Sequence, residues 1–232
     1  MSSGPHVALE ASLESGLARL GLETFRPGQR EAIETLLEAG RLLLVAPTGG
    51  GKSLVYQLPA CLLPGTTLVV SPLIALMHDQ VAALDARGIA PRYRAATRDA
   101  AENCRRMLSI ADGECKLVYV APARLATPAF RALLRDLSCP LIAIDEAHCI
   151  SEWGHDFRPE YMQIGALLAE LPKARVLACT ATATPIVRDE IIARLALPND
   201  TPQLLRGFAR PNLSLRALDV SRQLDRERAV DA

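Results

Sequence analysis

Leu42-Leu43-Leu44-Val45-Ala46-Pro47-Thr48-Gly49-Gly50-Gly51-Lys52-Ser53 is the stretch on which the reading of this chain turns. An apolar run of strand character enters three consecutive glycines, and the helix-like segment Leu54 to Leu63 follows. Glycines let backbone amides converge on an anion without Cβ clashes, and the helix behind them presents its positive end. Lys52 then reaches terminal phosphate oxygens, and Ser53 is placed to ligate magnesium. The Walker A pattern is met at Gly51, Lys52 and Ser53, with Ala46 in the place of its first glycine. Lysine occurs only at positions 52, 116 and 173, so arginine is the usual cation here and a lysine inside the loop is informative. A compact ammonium fits a phosphate cradle better than a planar guanidinium. The alternative is an ordinary glycine-rich turn.

Outward from the loop, short apolar runs recur at Leu42 to Ala46, Thr67 to Ser71, Leu117 to Ala121, Leu141 to Ile144 and Val176 to Cys179, with helix-length segments between them. Buried strands alternating with helices predict an α/β fold, a parallel sheet with helices on both faces. Ahead of the first strand, Val7 to Leu20 reads as a helix, Gly21 to Gly28 as a loop, and a second helix ends near Gly40. Beyond Pro198 the text becomes irregular; a strand-like piece follows near Leu213 to Leu218, and a charged segment ends at Ala232. That last part is expected to be a linker.

The 232 residues are 50% hydrophobic and 22% charged, which excludes disorder, collagen and coiled coil. With 26 basic residues against 26 acidic ones, bulk charge points to no polyanion partner, although a local basic face remains open. No run is long enough for a membrane helix and Met1 to Pro5 lacks a signal-peptide start, so a soluble cytosolic protein without membrane contact is expected. Six cysteines without a CxxC pair and four histidines predict free buried thiols and no His/Cys ligand cluster.

A second apolar run, Leu141 to Ile144, ends in Asp145-Glu146-Ala147-His148. Carboxylates at a strand's C-terminal end suit magnesium chemistry: Asp145 to hold the metal, Glu146 to orient or deprotonate the attacking water. Acidic strand ends also cap helices, and His148 alone reads equally as a core histidine. Beside the phosphate loop, His148 is a candidate link between the γ-phosphate site and the next element. Thr180-Ala181-Thr182, after another strand-like run, offers hydroxyls at the same sheet edge, as relay or as caps for the helix starting near Thr184-Pro185.

These residues resemble the RecQ-type ATP-dependent DNA helicases of superfamily 2. Phe25-Arg26-Pro27-Gly28-Gln29 resembles that family's motif 0, Thr48 to Ser53 motif I, and Ser71 to Met77 with Asp79-Gln80 motif Ia. Asp145 to His148 resembles motif II, and Thr180 to Thr182 motif III. The most specific signal is the continuation Cys149 to Tyr161, which is similar to the aromatic-rich loop of RecQ proteins. Trp153, Phe157 and Tyr161 are three of only nine aromatics in the chain, and Gly154 and Pro159 argue against one continuous helix through them. Such rings stack on unpaired bases without demanding a sequence, while Tyr161 reads equally as core. The resemblance runs from about Leu20 to Leu213.

It implies a RecA-like P-loop NTPase domain over residues 1–207, with 1–40 a helical extension carrying motif 0, and 208–232 a linker into a second RecA-like domain beyond this sequence. ATP and Mg2+ are the implied cofactors. Arg26 and Gln29 would hold adenine, Thr48, Gly49, Gly50, Gly51, Lys52 and Ser53 the phosphates, and Ser53 and Asp145 the metal. Lys52, Asp145, Glu146 and His148 carry the implied catalysis; Ser71, Trp153, His155, Phe157, Arg158, Thr180 and Thr182 the implied DNA contact and coupling. The implied activity is 3'-to-5' unwinding of partly duplex DNA by a motor tracking single-stranded DNA, weak here without the second domain's arginine finger. The implied setting is the bacterial nucleoid, or the nucleus in a eukaryote. A stand-alone nucleotide or single-strand binding module is the alternative. Two positions depart from the family pattern: Leu22, where an aromatic is frequent, and Ala123, where Glu is usual. Ten basic against four acidic residues between Arg87 and Arg135 could form a DNA-facing surface or solvated helix faces.

Overall fold

The computed structural model describes residues 5–88, 91–94, 115–153 and 156–207. Their centre is a parallel sheet of seven strands: β1 (Arg41–Val45), β2 (Thr67–Val70), β3 (Pro91–Arg94), β4 (Leu117–Val120), β5 (Leu141–Ile144), β6 (Arg175–Thr180) and β7 (Gln203–Leu205). Their order across the sheet is β3-β4-β2-β5-β6-β1-β7. The helices are α1 (Pro5–Arg19), α2 (Gln29–Ala39), α3 (Leu54–Leu62), α4 (Ile74–Asp85), α5 (Pro128–Asp136), α6 (Ile164–Glu170) and α7 (Pro185–Arg194). Short 3-10 turns stand at Pro122–Ala126, Ala147–Ile150 and Pro159–Gln163.

Why the strands read as unbroken apolar runs is visible in how each divides its residues. Successive side chains point to opposite faces. Leu42, Leu44, Val69, Tyr119, Ala143 and Leu177 enter one core with Leu13, Leu17, Ile33, Leu36 and Leu58 of α1, α2 and α3. Leu43, Leu68, Val70, Val118, Ile142 and Ile144 enter the other with Phe130, Leu134, Ile164, Leu167 and Ile191 of α5, α6 and α7. Both faces are covered, and the two periods of a half-exposed strand never show.

The five expected strands are all present, and the two additional ones are the sheet's edges. β3 alternates arginine with other residues, and β7 is three residues long with Gln203 and Leu205 exposed. An edge strand has one neighbour and less apolar cover to earn, so its composition carries a weaker signal. The N-terminal helical pair α1 and α2 is as expected and packs on α3. The strand-like piece near Leu213 to Leu218 lies outside the described residues.

Parallel connections bring all seven C-terminal strand ends to one rim, where ligands of open α/β sheets bind. Val45 of β1 pairs with Thr180 of β6, and Ile144 of β5 with Ala178. The phosphate loop, the Thr-Ala-Thr segment and the acidic pair therefore leave neighbouring strands side by side.

Candidate nucleotide site and its coupling loop

The phosphate loop is held in shape by its own backbone and by motif 0. Gly50 N–H donates to Pro47 O at 2.9 Å, closing the turn. Gly51 has φ +77°, and a Cβ there would overlap Gln29 Nε2, so glycine is required twice over. Gln29, buried, donates from Nε2 to Gly51 O at 3.0 Å and accepts at Oε1 from the Arg26 N–H at 2.7 Å. Arg26 NH1 donates to Gly49 O at 2.6 Å. Motif 0 thus grips the glycine loop directly, a structural task its resemblance to an adenine-binding motif did not announce.

Lys52 Nζ donates to Ala46 O at 3.0 Å and to Pro47 O at 3.4 Å, so the ammonium curls over the loop. This explains the departure at Ala46. The residue supplies a carbonyl, which any amino acid does, and it keeps a negative φ.

The acidic pair is positioned by a side-chain relay. Glu146 adopts φ 49°, ψ 47°, a left-handed conformation that turns its carboxylate back toward His148. His148 Nδ1 lies 3.3 Å from Glu146 Oε2 and 2.7 Å from Thr180 Oγ1. Thr180 Oγ1 spends its proton on Thr182 O at 3.2 Å, so it accepts from His148, which carries its hydrogen on Nδ1. The same Nδ1–H also faces Glu146 Oε2, and this contact holds the Glu146 carboxyl below its ordinary range. Asp145 moves the other way: burial and the neighbouring Glu146 raise its pKa, offset in part by hydrogen bonds from Cys179 and the Glu146 N–H and by the charge of Lys52. A carboxylate so destabilised is suited to a divalent cation, which returns the lost charge compensation. Thr184, not Thr180 or Thr182, caps α7, accepting from Val187 N–H at 3.4 Å.

Loop and pair meet in one cleft of about 470 Å3, lined among others by Arg26, Gln29, Lys52, Ser53, Asp145 and Glu146. Thr48, Gly49 and Gly51 also border it, as does Leu22. The donor set fits magnesium: the Ser53 hydroxyl and the buried Asp145 carboxylate, with the Lys52 ammonium beside them for phosphate, around a cradle that a Cβ at Gly51 would fill.

The aromatic-rich segment divides. Tyr161 is core, fully buried, its OH donating to Asp145 O at 2.8 Å; burial drives its pKa far up. Trp153 is 78% exposed and Phe157 38%, both unusual for rings of that size. Ser151 Oγ, which receives the Trp153 N–H at 3.2 Å, donates to Glu190 Oε2 of α7 at 2.6 Å, anchoring the loop to the helix after Thr182. Arg158 pairs with Asp156 at 2.9 Å and reaches Pro72 O at 3.4 Å, next to Ser71. Ser71 is 2% exposed, so its side chain is not offered to a DNA strand; its neighbourhood joins the loop through Arg158 instead. His155 lies outside the described residues.

One expectation is corrected. His148, Cys149 and Asp156 place one ligand atom each within 4.8 Å of one another, so the sequence spacing did hide a His/Cys/Asp cluster. It forms because the 3-10 turn Ala147–Ile150 sets His148 beside Cys149 and the loop folds Asp156 back onto the Cys149 thiol, whose pKa rises to about 12 through burial. Of the basic residues between Arg87 and Arg135, Arg87 lines the cleft and three others are engaged within the fold. Arg131 and Arg135 pair with Glu170 at 3.1 and 3.0 Å, and Lys116 Nζ donates to Leu63 O. Lys116 and Arg135 stand near the strands' N-terminal ends, away from the cleft. Arg98, Arg105 and Arg106 lie outside the described residues. Cys61, Cys115, Cys139, Cys149 and Cys179 are free thiols, as expected, Cys139 being only half-buried. Among the described residues no helix is long and apolar enough to cross a membrane.

Comparison with known proteins agrees with this geometry. Residues 26–190 match the DEAD/DEAH box helicase family. The chain is 46% identical over 200 residues to the ATP-dependent DNA helicase RecQ of Bacillus subtilis, covering 85% of this chain and 34% of that protein. It is 44% identical over 193 residues to RecQ of Haemophilus influenzae, covering 83% and 31%. It spans about a third of the length of these relatives. The fold is also that of a hypothetical ATP-dependent RNA helicase from Sulfolobus tokodaii (TM-score 0.59, 18% identity, 84% of this chain and 57% of that one). The Hef helicase domain of Pyrococcus furiosus is similar too (TM-score 0.59, 19% identity, 81% and 39%). The chain belongs to the DEAD/DEAH box helicase family, with a RecA-like fold, and is similar to RecQ helicases over most of its length.

Proposed function

We propose that this domain binds ATP with magnesium in the 470 Å3 cleft and hydrolyses it to drive movement along single-stranded DNA, as one half of a 3'-to-5' helicase motor. The observation that carries the reading is the convergence of the Lys52 loop and the Glu146–His148–Thr180 relay on one cleft. Lys52 and the glycine-loop amides take the β- and γ-phosphates, Arg26 and Gln29 lie toward the base, and Leu22 gives the base an aliphatic face rather than a ring. Ser53 and Asp145 would hold magnesium, which would offset charge developing on the transferred group. Glu146, kept ionised by His148, orients the water and accepts its proton. His148 passes the state of that carboxylate to Thr180 and so to the Thr182 segment.

Trp153 and Phe157 offer stacking faces for unpaired bases, and Arg158 a cation beside them. Their loop touches the same elements as the relay, through Ser151 to α7 and Arg158 to Pro72, which gives strand contact a short path to hydrolysis. A second RecA-like domain, within a longer protein of the relatives' size, would face the same rim and supply a cation to the γ-phosphate. The setting we propose is the bacterial nucleoid.

The test is steady-state ATP hydrolysis by the chain with and without single-stranded DNA, using Glu146→Gln as the blank. Magnesium-dependent turnover above that blank, raised by DNA, is expected. Turnover equal in both proteins, with no nucleotide bound, would overturn the reading.

A further inference from the structure

β7 delivers Arg206 to an unexpected place. Its backbone N–H donates to Val45 O at 2.8 Å, docking it on the last residue of β1, one position before the phosphate loop. From there the side chain turns back across the top of the sheet to α2 and pairs with Glu31. On the way it lies against Gly28, the left-handed residue (φ +80°) that starts α2. A Cβ at Gly28 would stand 2.5 Å from the Arg206 Cζ and 2.8 Å from NH2, so the guanidinium occupies the volume that glycine leaves open.

Gly28 precedes Gln29, whose amide joins Arg26 to Gly51. The contacts run without a break from the end of β7, through Arg206 and Gly28, to Gln29 and the phosphate loop. A cavity of about 260 Å3 separates the loop from α2, lined by Ala32, Leu44, Val55, Lys52, Gln29 and Arg206, so little apolar packing holds motif 0 against the loop from this side. Arg206 Nε is buried without a hydrogen-bond partner, a cost accepted only where the surroundings fix the side chain.

We propose that Arg206 is a positioning residue for the nucleotide site: it clamps the Gly28–Gln29 turn onto the glycine loop, so that nucleotide affinity and the seating of β7 depend on one another. The inference rests on the nucleotide reading above. If a bound nucleotide orders Gln29 and Gly51, it also favours the Arg206 seat; by the same linkage, release of Arg206 loosens the nucleotide.

The test is titration of the whole chain with a fluorescent ADP analogue and magnesium, beside thermal melting without nucleotide. Arg206→Ala is expected to weaken binding about tenfold, the size usual for residues that couple through a contact chain, with the apo melting temperature nearly unchanged. Gly28→Ala, which evicts the guanidinium, is expected to weaken binding too, and the double variant to bind no worse than Gly28→Ala alone. Multiplying effects, or wild-type affinity in Arg206→Ala, overturn the clamp. Should Arg206→Ala fail to fold, Glu31→Ala removes only the exposed anchor and is expected to weaken ADP about threefold; no change there overturns it as well. Lys52→Ala separates the two claims: if it binds ADP like wild type, the site assignment is wrong, whereas loss in Lys52→Ala with none in Arg206→Ala removes the clamp alone.

Discussion

The phosphate loop and the acidic pair leave strands two places apart in one sheet, yet they are built by opposite means. The loop is shaped by backbone: a turn bond from Gly50 to Pro47, a left-handed Gly51, and carbonyls of Ala46, Pro47, Gly49 and Gly51 taken up by Lys52, Arg26 and Gln29. The pair is shaped by side chains, Glu146 to His148 to Thr180, with Tyr161 fastening the Asp145 carbonyl from within the core. A backbone-built site tolerates side-chain change wherever glycine is not needed, which is how Ala46 replaces a motif glycine. A relay tolerates none of its members being lost.

The largest effect expected from this contrast falls on Lys52. Lys52→Ala removes the charge that answers the phosphates but leaves every backbone bond of the loop. ADP affinity should fall about a hundredfold or more, since charge-assisted contacts to several phosphate oxygens are lost together. Folding stability should change by less than about 1 kcal/mol, as the lysine's own bonds are to loop carbonyls that water can satisfy. Isothermal titration and chemical denaturation read the two separately. A loop that unfolds with the lysine gone would break the contrast, since its shape would then depend on a side chain.

The contrast also governs what could be read without a structure. The loop was legible to the residue, because glycine spacing is itself the backbone geometry. The strands were legible because each is buried on both faces and so wholly apolar; β3 and β7, at the edges, were not. The acidic pair was legible as a motif, but its relay was not: that Thr180 answers His148 while Thr184 caps α7 depends on β6 placing Thr180 32 residues away within 2.7 Å. Gln29's grip on Gly51, the Cys149–Asp156 contact and Arg206's return to Gly28 are likewise long-range or loop-borne. Tyr161 could be assigned to core or surface from composition, and Ser71 was implied to touch DNA; only packing decides that both are inside.

The middle-sized effect belongs to Tyr161. Its ring fills the core beneath motif II and its OH holds Asp145 O, so Tyr161→Phe isolates the hydrogen bond and should cost about 1 kcal/mol, or up to about 3 if the carbonyl is left dry. Tyr161→Ala adds a cavity and should cost about 3 to 5 kcal/mol by denaturant titration. Equal losses in the two would mean that the hydroxyl, not the ring, carries the anchoring.

The smallest effect on stability, and the sharpest on the comparison, belongs to Trp153. At 78% exposure its indole removes little surface from water, and its hydrogen bond to Ser151 Oγ comes from the backbone N–H, which alanine retains. Trp153→Ala should therefore shift folding stability by no more than about 0.5 kcal/mol, the range of surface substitutions. Nucleotide affinity should stay as in wild type, because neither the phosphate loop nor the relay touches the ring. Single-strand binding, read by anisotropy of a labelled oligonucleotide, should fall by about 1 to 3 kcal/mol, the size of one base stacked on one aromatic. A large exposed aromatic five residues from the buried His148 is costly to keep unless something lands on it. Should the variant lose stability but not DNA, the ring would be holding the loop, and the loop would join the acidic pair as a site built by its side chains.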